Sequence, residues 1–285
     1  MIACLLVGGL LIFTGIYLVI GPMPNRAPVS AGGNTTTAQG VEVAAGSQFN
    51  TAGLAAIDVE TREIDVSVYE AADRVVEIEM SDSAADRIIA WREGDTLYVR
   101  EKEDSVSDDS WGSDEITLLI PKGGQGTLSI TTTSGDIRIG GGFRGDGLTA
   151  ELTTVSGDLS AIGARLAALS CVSSSGEVFV GLMNVYGPLS VRTTSGTVLF
   201  DDSSAEDSLV ETESGTVSIW AFNAPSLTVK TVSGYMDLDI PGRETDYTVT
   251  VSTESGRIEG VQNRTGGQRN MTLSSVSGDI DVSFG

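Results

Sequence analysis

The chain has no histidine among its 285 residues. That removes the side chain most used as a general base near neutral pH, and the commonest nitrogen ligand for metals. Cations are scarce: 17 Lys and Arg stand against 39 Asp and Glu, a formal net charge of −22. No basic stripe is present to displace the counterions of a phosphate backbone, so nucleic acid is excluded as a partner. Two cysteines, Cys4 and Cys171, cannot make a disulfide framework. Apolar residues at helical spacing are also rare, which argues against an α-helical domain.

Glycine is abundant, with 35 residues, and much of it is regular. Ser-Gly pairs end at Gly135, Gly157, Gly176, Gly196, Gly215, Gly234, Gly256 and Gly278, in steps of 22, 19, 20, 19, 19, 22 and 22. A period near twenty marks a repeat architecture. Five residues before each Gly stand Ile130, Leu152, Cys171, Val191, Val210, Val229, Val251 and Leu273. Two after it stand Ile137, Leu159, Val178, Val198, Val217, Met236, Ile258 and Ile280. Three before it there is always a hydroxyl, from Thr132 and Thr154 through to Thr253 and Ser275.

This is strand alternation on both sides of a phase change. A one-residue slip normally turns a buried face outward, so the Gly marks a corner where the chain bends and keeps its core face inward. Each unit is strand, Ser-Gly bend, strand, and a loop of variable length. One unit cannot bury its apolar face alone, but stacked units can. The expected fold is all-β: a single parallel β-solenoid, a rod of roughly 40 Å for eight coils at the strand spacing. Equivalent residues form ladders, and the corner hydroxyls are expected to pass hydrogen bonds between coils. Without an activating base they are structural rather than nucleophilic. Cys171, on an inward ladder, reads as a small buried hydrophobe.

Residues 2–21 carry no charge and are long enough to span a bilayer core. With no basic n-region ahead of them, 1–21 are expected to be a transmembrane anchor rather than a cleaved signal, although Val29-Ser30-Ala31 resembles a cleavage site. Residues 22–50 have linker composition. The expected division continues with 51–121 as degenerate β coils and a cap, with Arg62-Glu63 where Ser-Gly would stand, and 122–285 as the regular coils. The acidic run with Asp104, Asp108, Asp109, Asp114 and Glu115 around Trp111 reads as a solvated loop, with Ca²⁺ binding as the alternative.

The recurring Thr/Ser-x-Ser-Gly-Asp/Glu/Thr-Ile/Val/Leu unit, the irregular β block before it and the N-terminal apolar segment resemble the bacterial putative-adhesin family. That family is a domain of unknown function built of β-strand repeats, related to autotransporter-adhesin head domains. The resemblance covers roughly residues 51–285. It implies a β-helical fold and an envelope location, with the β domain outside the cytoplasm, and it implies no catalytic residues.

Two functional readings follow from the side chains. Asp136, Asp158 and Glu177 come directly after corner glycines and should stack on the outer face. Their type suits turn geometry, with weak Ca²⁺ binding or acid–base hydrolysis of a polysaccharide as alternatives. Phe179, Tyr186, Trp220, Phe222 and Tyr235 fall on outward or loop positions, where a rigid repeat could present them to a protein or glycan. For Trp220 and Phe222 the competing reading is a fold back over the coil interior. A non-catalytic surface-interaction, scaffold or sensor role is the favoured function, and a β-helical lyase or hydrolase the alternative. The last coil, with Leu273, Ile280 and Val282 at an open edge, is expected to support weak self-association.

Overall fold

Period-two alternation bent at a fixed point gives each coil two faces, and the chain builds two sheets from them. The computed structural model describes residues 41–42, 46–72, 74–103 and 114–285. Cys4, the apolar run 2–21, most of the linker 22–50 and residues 104–113 of the acidic run lie outside the described residues. Among those described, no helix is long and apolar enough to cross a membrane.

Three coils run as unbroken strands through the corner: Leu189–Asp201, Asp207–Trp220 and Ser226–Ile240. They pair in register and in parallel, with Gly196 opposite Gly215 and Gly215 opposite Gly234. On either side the coils are split at the corner, as in Arg165–Ser173 followed by Glu177–Gly181. Segments before the corner form the first sheet and segments after it the second. A third side is closed by short parallel pairings of Arg144 and Gly145, Arg165 and Leu166, Asn184 and Val185, Ser204, and Asn223.

The core lies between these walls. The inward columns predicted from the repeat are buried on both sides of the corner, from Ile130 and Ile137 to Leu273 and Ile280, with Ile258 only half-buried. The third side adds Phe143, Met183, Val185 and Phe222, all buried. Cys171 is among the buried residues, and burial pushes its thiol up to about 12, so it is inert as a nucleophile.

Glycine at the corner answers a steric demand between coils. At Gly157, Gly196, Gly215, Gly234 and Gly278 an added Cβ would fall on the carbonyl oxygen of the corner glycine in the adjacent coil. The serine before each glycine donates outside this stack. Ser156 Oγ reaches Thr133 O at 3.3 Å, Ser175 Oγ reaches Val155 O at 3.3 Å and Ser214 Oγ reaches Thr194 O at 3.4 Å.

The buried hydroxyls behave differently along the stack. Thr132 Oγ1 donates to Gly135 O at 2.7 Å and lies 3.0 Å from the Thr154 hydroxyl, which accepts from Gly157 N at 3.0 Å. Thr212, Thr231 and Ser275 occupy the same column, and their buried hydroxyls have no protein partner. An unmet buried hydroxyl costs stability, whereas a bonded one contributes to it. Thr132→Val is therefore expected to destabilise by about 1–2 kcal/mol and Thr231→Val to be neutral or to stabilise. Urea denaturation of the two variants checks this; equal losses would show that both hydroxyls are bonded.

Three expectations need correction. The solenoid is not parallel throughout. Among the described residues ten coils stack in parallel, but at the N-terminal end Ile88–Glu93 lies antiparallel on Thr96–Glu101, and Val75–Met80 antiparallel on Glu115–Pro121. Val41–Glu42 and Ser47–Asn50 add antiparallel outside them. Chain reversals there cover an edge that a parallel coil would leave open. Secondly, the irregular corner is Glu63-Ile64 rather than Arg62-Glu63. Val66 pairs with Ile137 and Val59 with Ile130, so Ile64 takes the glycine position, and Thr61 Oγ1 donates to Ile64 O at 2.9 Å as Thr132 does to Gly135.

The third correction concerns stacking order. The coil 269–284 is inserted between 226–240 and 247–259. Leu273, Ile280 and Val282 are thus buried between neighbours instead of lining a mouth. The terminal coil is 247–259, and its edge is occupied by the loop that follows it: Val249 and Arg264 exchange main-chain bonds at 2.8 and 2.9 Å, and Asn263 Oδ1 accepts from Val251 N at 2.8 Å. The residues on which self-association through the last coil was expected are not available for it.

Candidate surface site

Residues one, three and five after each corner project from the outer face of the second sheet. The first of these columns carries the acids. Asp136 N donates to Asp65 Oδ1 at 2.8 Å, Asp158 N to Asp136 Oδ1 at 2.9 Å and Glu177 N to Asp158 Oδ1 at 2.8 Å. Each carboxylate satisfies the main chain of the next coil, as an aspartate does locally in a turn. Arg138 neutralises the start of the row, 2.6 Å from Asp136 and 3.6 Å from Asp65. Burial, with the charges of Asp136 and Glu115, raises the Asp65 carboxyl above the usual aspartate value, against the Asp136 N–H donation and Arg138. Asp136, Asp158 and Glu177 are therefore brought together along a line. Among the described residues no group of three acid, Cys or His side chains converges as metal ligands do. Of the acidic run, Asp114 is paired with Arg87, and Glu115 Oε1 accepts from Ser67 Oγ at 2.6 Å.

The same face carries an apolar patch. Phe179 pairs with Leu199 in the third-residue column, and both are half-buried. Ile162, opposite Gly181, and Tyr69 are exposed in the fifth-residue column. Glycines let the rings lie down: an added Cβ on Gly181 would meet the Phe179 ring at 2.7 Å, and one on Gly141 would meet the Tyr69 ring at 2.9 Å. Trp220 continues the fifth-residue column between Asp201 and Asp239, 43% exposed. Tyr235 is exposed in the first column. Partial burial and then the Asp237 and Asp281 charges raise its hydroxyl, so it stays a neutral phenol.

Two aromatic residues lie elsewhere. Phe222 is 1% exposed and packs on Phe200, ring centroids 5.1 Å apart. It does not form part of a binding surface: its position, one residue past the left-handed Ala221 that follows Trp220, points it into the third side of the core. Tyr186 is exposed beside the third-side strand, with the Arg165 guanidinium over its ring at 5.4 Å and bonded to its hydroxyl. Tyr69 and Ile162 escaped the sequence reading. Their signal was an outward position five residues after the corner, next to a column neighbour that is glycine.

The sequence profile of the Toastrack DUF4097 family matches residues 54–284. Among solved structures, a putative adhesin from Bacteroides fragilis superposes with a TM-score of 0.53 at 14% identity, over 86% of this chain and 95% of that one. A putative adhesin from Parabacteroides distasonis gives 0.44 at 14% identity, over 86% and 96%. A putative lipid binding protein from the same species gives 0.44 at 17% identity, over 80% and 93%. At these identities the likeness concerns the fold alone. No curated protein matches the chain.

Proposed function

The chain belongs to the Toastrack DUF4097 family, and from that premise we propose that it is a non-catalytic surface-interaction module of the cell envelope. In this reading the apolar segment 2–21 tethers it to the membrane and the β domain lies outside the cytoplasm. The observation that carries the proposal is the patch of Tyr69, Ile162, Phe179 and Leu199 on a sheet face that the coil ladders hold rigid. Apolar side chains kept at an outward position against the alternation have a contact to make. The Bacteroides fragilis protein of the same fold is called a putative adhesin, which agrees with the reading without establishing it. Against a polysaccharide lyase or hydrolase stands the use of the outward acids: Asp136 and Asp158 each spend an oxygen on the neighbouring coil's N–H.

The test is retention of the full chain on envelope fragments from the cells that express it. Phe179→Glu with Leu199→Glu is expected to lower retention about tenfold, the effect of losing a modest hot spot. Glu151→Ala, on the outer face of the first sheet, should change nothing. Equal retention of all three, or polysaccharide turnover that Asp158→Asn abolishes, would overturn the proposal.

A further inference from the structure

In five successive coils, from Gly135 to Gly215, the residue six after the Ser-Gly glycine forms a second corner and is left-handed. Gly141 and Gly163 occupy it in two successive coils, with φ of +75° and +64°. The next three coils place side chains there instead: Leu182 at φ +54°, Asp202 at +42° and Ala221 at +51°. The corner is built the same way in four of these coils: Gly163 N, Leu182 N, Asp202 N and Ala221 N each donate to a main-chain oxygen of the adjacent coil at 2.9–3.1 Å. Glycine would be free of strain in all of them, while a side chain there costs about 1–2 kcal/mol. A strained residue kept where an unstrained one would serve points to a use for the side chain.

Asp202 and Ala221 line a depression of about 760 Å³ at the C-terminal end of the third side. Asn223, Thr245, Asp246, Gln268, Arg269 and the glycines 242, 266 and 267 complete its wall, and Pro241 and Ala221 are its only apolar residues. Carboxylates, two amides, a hydroxyl and main-chain groups thus meet in one place. The lining excludes a lipid, which needs apolar walls. It disfavours phosphate or a uronic acid: the one cation, Arg269, already donates to the Tyr247 hydroxyl at 3.0 Å and overlies its ring, in a chain of net charge −22. Dense, mixed donors and acceptors suit a ligand with many hydroxyls and no charge. Trp220 lies outside the lining, on the adjoining outer face of the second sheet, immediately before Ala221 at the corner; it is exposed, so a sugar chain leaving the depression over that edge would meet its flat apolar surface.

We propose that this corner depression binds an uncharged oligosaccharide, with the Asp202 carboxylate and Asn223 and Gln268 amides taking its hydroxyls and Trp220 its ring face. The inference rests on the reading of the chain as a surface-interaction module and gives that module a ligand class. The full chain is titrated with cellohexaose and with chitohexaose, followed by calorimetry and by tryptophan fluorescence. Saturable binding of at least one is expected, and a polyuronate should not compete. Asp202→Gly is expected to weaken binding about tenfold while raising the melting temperature by about 2–4 °C through relief of the left-handed strain. Trp220→Ala should weaken binding without lowering the melting temperature. The gain in stability separates loss of a ligand contact from misfolding. No binding of either sugar up to about 10 mM, or binding that Asp202→Gly and Trp220→Ala leave intact, would overturn the inference. Envelope retention that persists in those cases would leave the sheet-face proposal standing, and its loss in Phe179→Glu alone would assign the contact there.

Discussion

Gly196→Ala is expected to abolish folding of the solenoid or to destabilise it by about 4 kcal/mol or more, a loss few single substitutions reach. The added methyl would fall on the Gly176 carbonyl oxygen, with Gly176 C and N each 3.2 Å away. Nothing there is the free end of a side chain. To make room, two coils would have to separate along a stack that is bonded on both sheets. The backbone also has φ +144°, where an L residue is strained. Gly163→Ala separates the two causes. Its φ is +64°, yet nothing lies within 4 Å of the added methyl, so it should lose only about 1–2 kcal/mol. Urea midpoints of the two variants measure the difference. A loss at Gly196 no larger than at Gly163 would show that the corners are set by dihedral preference rather than by coil packing.

Removing the Arg87 guanidinium should have the next largest effect. Beyond Ile64 the corner column ends at Asp114, where the chain re-enters the coil at the start of Glu115–Pro121. Arg87 closes that end. Its guanidinium is buried, 2.6 Å from Glu101 Oε1 and paired with Asp114. Glu101 Oε2 accepts from Arg62 N at 2.6 Å, and Arg62 Nη2 is 3.1 Å from Glu101 Oε1. Arg87→Met leaves two carboxylates without their shared cation and is expected to cost about 3–5 kcal/mol. Acid titration should report the same cluster. Burial pushes the Glu101 carboxyl upward, but the Arg62 N–H and the Arg87 and Arg62 side chains outweigh it and hold the group below the usual glutamate value. A group lowered in the folded state stabilises above its unfolded value, and that contribution disappears as pH falls through the folded one. Asp65 has the opposite sign: its raised carboxyl favours the fold below the usual aspartate value, and the contribution is lost as pH rises through the folded one. Glu101→Gln should therefore flatten the acid limb of the stability profile, and Asp65→Asn should raise stability at neutral pH. An acid limb unchanged by Glu101→Gln would contradict the assignment.

What could be read from the sequence follows the ladders. The inward columns, the all-β class and the Ser-Gly corner came directly from alternation that changes phase at one residue, because each ladder position has one environment repeated eight times. The order of the coils did not. Nothing in a repeat says which neighbour a coil takes, and the insertion of 269–284 inside 247–259 appears only in the longer steps of 22 residues before Gly256 and Gly278 and in the Asn263–Arg264 segment that covers the edge. Among the described residues, the antiparallel cap has one turn with ordinary turn residues, Gly94 at φ +63° between Ile88–Glu93 and Thr96–Glu101; its other chain reversals carry no such mark. Of the outward aromatics, the half-buried Phe179 and the exposed Tyr186, Trp220 and Tyr235 were placed by position. Of the two readings open for Trp220 and Phe222, Trp220 takes the outward one and Phe222 the interior one, because Ala221, a non-glycine in the left-handed region, turns the chain inward after Trp220. The second corner had the same period as the first but no constant residue, so its left-handed column showed only in the backbone.

The surface through which the domain acts can be located by oxidative footprinting of the full chain, free and bound to envelope fragments, with modification read residue by residue by mass spectrometry. Binding through the outer face of the second sheet predicts that Tyr69, Phe179 and Trp220 lose reactivity on binding, while Tyr186, on the third side, keeps it. Protection at Tyr186 with Tyr69 and Phe179 unchanged, or no protection at any of the four, would contradict it.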